Sequence, residues 1–227
     1  MKKLSIIVPV YNEKKTIEEL LKMVKKAKID GVEKEIIVID DGSSDSTSSV
    51  LTKQTEIKII YQSKNQGKGA AIKIGLQNCS GDIVIVQDAD LEYDPNDINL
   101  CVKPILDGLA KVVYGSRELQ KRNKKHSSYL FFCGGKIVTL MTNLLYGSHL
   151  TDEPTCYKCF KTDLIKSIKI DNNDFAWEPE ITAKILKQGI KIKEVPVKYF
   201  PRHQGKKITY LDGFKALWTL LKYRFHD

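Results

Sequence analysis

Apolar runs and segments of helical periodicity alternate along the first half of the chain. Five runs rich in valine and isoleucine predict buried strands: residues 4–10, 35–40, 57–60, 83–86 and 111–115. Between them, apolar residues recur at helical spacing, for example at Ile17, Leu20, Leu21 and Val24. Strands that are apolar throughout and alternate with amphipathic helices predict a single α/β domain, in which a mostly parallel sheet carries helices on both faces.

Polar residues follow three of these strands directly, at residues 9–13, 40–43 and 88–90. Parallel strands bring their carboxyl ends to one edge of the sheet, and the ligands of such sheets bind beyond that edge. We therefore expect the three segments to meet at one binding site.

The segment 88–90 carries the most specific chemistry. Asp88 and Asp90 follow an apolar strand at a spacing of two residues, which places both side chains on one face of an extended chain. Two carboxylates this close repel each other unless a cation lies between them, and Mg²⁺ or Mn²⁺ prefers carboxylates together with phosphate oxygens. The alternative is a solvated turn. A calcium loop is excluded, because Tyr93 stands where that loop requires glycine.

Three other segments have both a structural and a functional interpretation. Asp40 and Asp41 either cap a turn or accept hydrogen bonds from a base or a ribose. Residues 65–69 either form a flexible loop or place Lys68 and a helix N-terminus against phosphate, and they match neither the P-loop nor the G-x-G-x-x-G pattern. Residues 203–208 are either a solvated connector or a loop that closes on a donor diphosphate.

Charge and cysteine content narrow the class of protein. The chain has 37 Lys and Arg residues against 28 Asp and Glu, a net charge of +9, which favours anionic partners. A nucleic-acid-binding module is disfavoured, because no helix-turn-helix, RRM or zinc pattern is present.

The five cysteines are scattered and no signal peptide precedes the first strand, so we expect free, structural thiols and a cytoplasmic protein.

Five motifs in a fixed order connect the chain to a known family: residues 5–13, 39–45, 65–71, 87–92 and 115–117. As an ordered set they resemble the family 2 glycosyltransferases with the GT-A fold. The nearest branch resembles the dolichyl-phosphate mannose synthases and their bacterial polyprenyl-phosphate relatives. The resemblance continues through residues 175–184 and 192–202, covers nearly the whole chain, and implies an inverting glycosyltransferase that uses a nucleotide-sugar donor.

The resemblance also assigns roles to individual residues. It implies a nucleotide-sugar site formed by Pro9, Tyr11, Glu13, Asp40, Asp41 and Asp88. Lys68, the cation of residues 65–69, is predicted to belong to the same site. The resemblance implies a site for Mg²⁺ or Mn²⁺ at three residues: Asp88, Asp90 and Glu92. Arg117 and Arg202 match basic residues that meet donor or acceptor phosphates, a role that suits the planar guanidinium. The predicted catalytic residues are Asp88, Asp90, Arg117, Arg202 and Glu180.

Two departures from the family pattern concern the acceptor. Residues 151–157 stand where many relatives have Asp-x-x-Ser-Gly-Phe, and Cys133 stands near the position of an expected acceptor-phosphate arginine. A lipid phosphate is already an anion and needs no general base, whereas a hydroxyl acceptor would need one. In that case the candidate bases are Asp152, Glu178 and Glu180.

We expect the reaction to move a mannose- or glucose-type hexose from a GDP or UDP sugar to dolichyl or undecaprenyl phosphate. The alternative is transfer to a saccharide or other hydroxyl in the synthesis of cell-surface polysaccharide. Residues 1–116 are predicted to form the nucleotide-sugar-binding half and residues 117–227 the acceptor-binding half. The sequence leaves the identity of the sugar and of the nucleotide open.

Two apolar segments suggest contact with a membrane. Residues 129–146 form the most apolar long window, but Lys136 and Asn143 make it a poor membrane-spanning helix. It is either a core helix or an interfacial helix, and the basic residues 121–126 before it favour the interface. Residues 214–225 again mix aromatics with cations, and the chain ends there without further apolar spans. We expect peripheral attachment to the anionic cytoplasmic face of a membrane.

Overall fold

A computed structural model describes residues 1–121, 123, 128–202 and 205–226 of the chain. These residues form one seven-stranded sheet with the strand order β3-β2-β1-β4-β6-β5-β7. The strands are β1 (Lys2–Val10), β2 (Val32–Asp40), β3 (Lys58–Tyr61), β4 (Ile83–Val86), β5 (Val112–Ser116), β6 (Lys158–Lys161) and β7 (Ile192–Pro196). The helices are α1 (Ile17–Lys26), α2 (Thr47–Leu51), α3 (Lys68–Asn78), α4 (Ile98–Leu106), α5 (Tyr129–Tyr146), α6 (Thr162–Ser167), α7 (Trp177–Lys187) and α8 (Tyr210–Phe225).

The sheet is mostly parallel, which confirms the predicted α/β fold. β1 pairs in parallel with β2 and β4, β2 with β3, and β5 with β7. The exception is β6, which lies antiparallel between β4 and β5. β6 and β7 are absent from the five predicted strands, because charged residues interrupt their apolar pattern in the sequences KCFK and IKEVP.

The core lies between the sheet and its helices. Every residue of β4 is buried, and Ile7 of β1 is fully buried beneath α3. A Cβ atom at Gly75 would lie 2.5 Å from Cγ2 of Ile7, so glycine permits the close approach of α3 to the sheet. Full burial of an aliphatic side chain stabilises a fold by about 1.5–3 kcal/mol. All five cysteines lie in the described part of the chain and are free thiols, as predicted.

The reversed direction of β6 matters for the site. The carboxyl ends of β1, β2 and β4 lie at one edge of the sheet, where Val10 is in register with Asp40. Because β6 runs the other way, its amino end lies at this same edge, with Lys158 opposite Tyr114 of β5. Residues 151–157, which precede β6, are thereby brought to the edge where the polar segments meet.

Helices α5 and α8 pack against each other and leave much of their apolar surface uncovered. The hydroxyl of Tyr146 donates to the carbonyl of Leu220 at 2.6 Å, and Val138 packs in a small cluster with Leu220. Only 17% of the residues of α5 are buried, which speaks against the alternative of a core helix. Within the described residues, α5 is the one helix that is long and apolar enough, by length and composition, to cross a membrane.

Candidate active site

A cleft of about 350 Å³ opens at the carboxyl edge of the sheet. Ten of the predicted site residues line it: Pro9, Tyr11, Glu13, Asp41, Lys68, Asp88, Asp90, Glu92, Arg117 and Arg202. Asp40 and Glu180 are not among the residues that line the cleft. The structure therefore brings most of the predicted residues together, although they are separated by up to two hundred positions in the chain.

Lys68 bridges two carboxylates on one side of the cleft. Its Nζ lies 2.8 Å from Oδ1 of Asp88 and 2.9 Å from Oε1 of Glu178. Burial alone would lower the pKa of Lys68, but the charges of the two carboxylates raise it well above its usual value. The amide of Ala70 donates to the carbonyl of Asn173 at 3.0 Å, so the first turn of α3 is docked on the loop before α7.

Cations that follow β7 lie against the other side of the cleft. Nη1 of Arg202 lies 2.9 Å from Oε1 of Glu13, and Nη2 lies 3.4 Å from Oδ2 of Asp90. Lys207 lies 2.8 Å from the same oxygen of Glu13 and also donates to the carbonyl of Tyr11. The acidic side chains of the cleft are thus matched by lysine and arginine from a distant part of the chain.

Glu92 faces the same segment. Its Oε1 accepts a hydrogen bond from the backbone amide of Arg202 at 2.7 Å and lies 3.2 Å from Nζ of Lys206. Its Oε2 accepts a hydrogen bond from the hydroxyl of Tyr199 at 3.2 Å. The carboxylate that the resemblance assigns to a metal is therefore engaged by residues 199–206.

Asp88 and Asp90 both line the cleft, although the strand does not continue through them. β4 ends at Val86, and residues 89–90 lie in a turn. Burial, and then the negative charges of Asp88 and Glu92, raise the pKa of Asp90 to about 7. A divalent cation between these carboxylates would relieve their mutual repulsion. In the described part of the chain no three acidic, cysteine or histidine side chains are placed to hold an ion, so the predicted metal ligands Asp88, Asp90 and Glu92 do not form a three-residue site.

Arg117, which follows β5, forms a bidentate ion pair with Asp152. Nε of Arg117 donates to Oδ2 at 2.8 Å, and Nη2 donates to Oδ1 at 2.6 Å. The guanidinium also lies over the ring of Tyr199, 5.2 Å from its centroid. Burial would raise the pKa of Asp152, but the charge and hydrogen bonds of Arg117 lower it below its usual value. Both oxygens of Asp152 are engaged by Arg117 and its lowered pKa makes it a weaker base, so it is a poor candidate for a general base.

Of the two acidic residues at the end of β2, only Asp41 reaches the cleft. It accepts hydrogen bonds from the backbone amides of Gln66 and Gly67, at 2.8 and 2.7 Å. Asp40 instead accepts a hydrogen bond from the backbone amide of Ser43 at 3.0 Å. Asp41 thus shapes the wall of the cleft, whereas Asp40 caps the turn that follows β2.

Glu178 and Glu180 point in different directions from α7. Glu178 lines the cleft and pairs with Lys68, whereas the fully buried Glu180 accepts hydrogen bonds from the amides of Asp171 and Asn172 at 2.7 and 2.9 Å. Two positions along a helix differ by about 200° in direction. The structure therefore does not bring Glu180 to the cleft, and its carboxylate holds the loop before α7.

An apolar groove of about 490 Å³ adjoins the cleft. It is lined by residues of α5 and α8, including the aromatic side chains of Phe131, Phe132, Tyr210 and Phe214. Seven residues line both cavities: Arg117, Pro154, Phe175, Glu178, Tyr199, Lys206 and Ile208. A charged cleft and an apolar groove therefore meet at a shared wall.

Residues 5–168, more than half of the chain, match the sequence model of the family described as glycosyl transferase family 2. The chain belongs to glycosyl transferase family 2. It is therefore a glycosyltransferase, and the resemblance that rested on the ordered motifs is confirmed.

Curated relatives of this family 2 glycosyltransferase are found in archaea and bacteria. An uncharacterised protein of Methanocaldococcus jannaschii is 33% identical over 95% of this chain and 90% of its own length. A dolichol-phosphate mannosyltransferase of Pyrococcus furiosus is 27% identical over 97% of this chain and 64% of its own length. An undecaprenyl-phosphate 4-deoxy-4-formamido-L-arabinose transferase of Salmonella paratyphi B is 29% identical over 90% of this chain. The chain spans 62% of the length of the Salmonella protein, so it covers less than two thirds of both named transferases.

Solved structures share the fold of the chain. Glucosyl-3-phosphoglycerate synthase from Mycobacterium tuberculosis, in complex with Mn²⁺, UDP and phosphoglyceric acid, gives a TM-score of 0.77 at 20% identity. The similarity covers 99% of this chain and 79% of the other. A structure of the same enzyme with Mg²⁺ and UDP gives a TM-score of 0.74. The fold of the family 2 glycosyltransferase is therefore the predicted GT-A fold.

The predicted set omits several residues that line the cleft of this glycosyltransferase, among them Tyr199, Lys206 and Lys207. The amide of Val197 donates to the carbonyl of Ser116, which continues the pairing of β7 beside β5 and carries the following residues to the cleft. The basic, glycine-containing sequence of residues 203–208 indicated a loop at the donor site. Which cleft residues this segment contacts depends on the position of β7, which was not predicted. His203 and Gln204 lie outside the described residues, as do four members of the basic cluster at residues 121–126.

Proposed function

We propose that this glycosyltransferase transfers a hexose, of the mannose or glucose type, from a GDP or UDP sugar to a polyprenyl phosphate. The observation that carries the proposal is the junction of the charged cleft with the apolar groove. A sugar donor with a diphosphate suits the first cavity, and an isoprenoid chain suits the second. The names of the mannosyltransferase and the undecaprenyl-phosphate transferase among the relatives support this choice of acceptor class.

The donor side is proposed to use the predicted residues of the cleft. Pro9 and Tyr11 would border the nucleotide, and Asp41 would hold the adjoining loop. Asp88 and Asp90 would hold Mg²⁺ or Mn²⁺, which when bound neutralises charge on the leaving diphosphate. The cations of the cleft would add to that neutralisation, because preorganised positive groups stabilise charge that develops during transfer.

The pairing of the acidic residues favours a phosphate acceptor over a hydroxyl acceptor. Of the three candidate bases, Asp152 is paired with Arg117, and Glu178 is paired with Lys68. The third, Glu180, lies outside the cleft. A lipid phosphate is already an anion and can attack the anomeric carbon directly, with inversion and without a base. Transfer to a saccharide hydroxyl remains the second candidate, because Glu178 lies at the junction and could be released from Lys68.

The two halves of the chain are proposed to divide the work. Residues 1–116 supply the donor side, with the ends of β1, β2 and β4. Residues 117–227 supply Arg117, the walls of the groove and the cations that follow β7.

A panel of donors and acceptors tests the proposed reaction. Purified protein is given GDP-mannose, UDP-glucose or UDP-N-acetylglucosamine with Mn²⁺ or Mg²⁺, and with either farnesyl phosphate, farnesol or a free hexose. We expect one donor to yield a glycosylated prenyl phosphate, identified by mass. A product on the free hexose, with none on the prenyl phosphate, would establish the second candidate and overturn the first.

The acids at the end of β2 predict a difference in donor affinity. Asp41→Ala should weaken binding of the matching nucleoside diphosphate by about 1–3 kcal/mol, because the amides of Gln66 and Gly67 lose their acceptor at the wall of the cleft. Asp40→Ala is the matched control and should weaken binding much less, since its carboxylate serves a turn outside the cleft. Isothermal titration calorimetry with GDP and UDP measures both. Equal losses of affinity would contradict the distinction.

We also propose that the enzyme lies on the cytoplasmic face of a membrane. Large apolar side chains of α5 and α8 are exposed: Leu140, Leu144, Leu211, Phe214 and Trp218. Lys136, Lys215 and Lys222 lie on the same two helices, and such a mixture suits insertion among anionic headgroups.

Membrane attachment predicts a loss of vesicle binding in a surface variant. Changing Phe214 and Trp218 together to serine should lower partition into phosphatidylglycerol vesicles at least about tenfold, because two exposed aromatic side chains can no longer insert. Leu109→Ser is the control: Leu109 is equally exposed but lies near the amino end of β5, at the opposite edge of the sheet. Flotation of the three proteins measures the partition. Undiminished flotation of the double variant would rule out this face.

A further inference from the structure

We propose that Lys206 is the second cation of the acceptor-phosphate site, beside Arg117. The inference rests on the proposed function and names a residue that neither the motifs nor the resemblance assigns to the acceptor.

The first step concerns charge at Arg117. A phosphate monoester carries about −1.5 to −2 charges near neutral pH. The guanidinium of Arg117 is already matched by the buried carboxylate of Asp152 through two hydrogen bonds. A phosphate that approached this pair would meet a site with little net positive charge. A further cation is needed within reach of the same position.

The second step locates that cation. Nζ of Lys206 lies 6.0 Å from the centroid of the Tyr199 ring, and the guanidinium of Arg117 lies 5.2 Å from the same centroid. Lys206 is also 6.0 Å from the ring of Phe131, which belongs to α5 and lines the groove. Both cations therefore adjoin one aromatic ring at the junction of the two cavities. This is where the phosphate must lie if the isoprenoid chain occupies the groove and the sugar occupies the cleft.

The third step separates Lys206 from its neighbours. Within the described residues, Lys136 and Lys206 are the lysines that line the groove, and only Lys206 also lines the cleft. Each of the two lysines contacts one carboxylate, Glu118 for Lys136 and Glu92 for Lys206, so their positions and not their pairing separate them. Lys207 lines the cleft but not the groove and contacts Glu13, on the donor side.

Lys206 is also held in place. Its Nζ lies 3.2 Å from Oε1 of Glu92 and donates to the hydroxyl of Tyr199 at 3.2 Å. Lysine has three donors on its ammonium, so these two contacts leave one direction for a phosphate oxygen. A cation that is ordered before the acceptor arrives loses less conformational entropy on binding.

The test compares two adjacent lysines. With farnesyl phosphate as acceptor and the donor found active, Lys206→Ala should raise the KM for the acceptor about tenfold or more, and change the KM for the donor less than about twofold. Lys207→Ala should do the reverse. Lys206→Arg should recover most of the lost acceptor affinity, because it restores the positive charge.

Three results would overturn the proposal. An unchanged acceptor KM in Lys206→Ala, with the melting temperature preserved, removes the residue from the acceptor site. A rise in donor KM that matches the effect of Lys207→Ala assigns it to the donor diphosphate instead. If the wild-type enzyme transfers to no prenyl phosphate, the proposed function fails first and the inference fails with it. The three results are distinct because only the last concerns the wild-type enzyme.

Discussion

Replacing Asp90 with asparagine should reduce the rate of sugar transfer at least about 100-fold while the protein stays folded. The change removes one of the two carboxylates that would hold the divalent cation, and with it part of the stabilisation of the leaving diphosphate. Asparagine has nearly the same shape as aspartate, so no cavity forms. The melting temperature should stay the same or rise, because Asp90 is repelled by the charges of Asp88 and Glu92.

Two comparisons make the Asp90 result specific. Asp94→Asn is the control. Asp94 caps the turn before α4 and pairs with Lys198 outside the cleft, so this variant should largely retain transfer. EDTA should inhibit the wild-type enzyme, and Mn²⁺ or Mg²⁺ should restore it. Calorimetric titration with Mn²⁺ should show weaker binding to the Asp90 variant. Full transfer in the chelator would remove the metal from the proposed reaction.

Replacing Arg117 with alanine should lower the free energy of unfolding by about 3–5 kcal/mol. The guanidinium is the bidentate partner of Asp152, whose side chain is only 4% exposed. Removing it leaves a buried carboxylate without a counter-charge, which costs far more than the ion pair itself contributes. Urea unfolding measures the loss.

Surface and buried ion pairs should separate clearly in that experiment. Lys136→Ala breaks the pair with Glu118, in which both side chains are partly exposed, and should cost less than about 1 kcal/mol. A double variant, Arg117→Met with Asp152→Leu, should recover most of the stability, because it removes both buried charges together. The double variant should still fail to transfer sugar to a prenyl phosphate. If it regained transfer, Arg117 would have a structural role only.

The parts of the fold that the sequence predicted are those in which burial is uniform. β4 is apolar along its whole length and buried on both faces, so a short run of residues was enough to identify it. β6 was missed because it begins with a charged residue, Lys158, which is fully buried. Its ammonium donates to the carbonyl of Glu153 and lies 3.9 Å from the ring of Tyr114. The contact with Tyr114, a residue of another strand, cannot be read from the residues around Lys158, so the local sequence does not indicate a buried strand.

At the candidate active site, too, the success of each prediction depends on whether local sequence or distant parts of the fold position the residue. Asp88 and Asp90 were expected to share one face of an extended strand, but β4 ends at Val86 and residues 89–90 lie in a turn. Both side chains line the cleft as predicted, although not through strand geometry. Glu180 could have been separated from Glu178 by helical geometry alone, since the two residues point to nearly opposite sides of α7. The partner of Arg117 could not be predicted, because it depends on the reversed β6.

The insertion of β6 between β4 and β5 also decides what can be cut from this chain. Ile83 of β4 is in register with Lys161 of β6. The central part of the sheet can therefore form only when most of the polypeptide is present. A fragment that ended at residue 116 would leave β4 as an unpaired apolar edge, the kind of edge that promotes aggregation. We therefore expect that the proposed donor half, residues 1–116, does not fold as an autonomous module. Exchanging donor specificity between relatives would require grafting individual residues of the cleft, because a chimaera joined at residue 116 would have to reassemble a shared sheet.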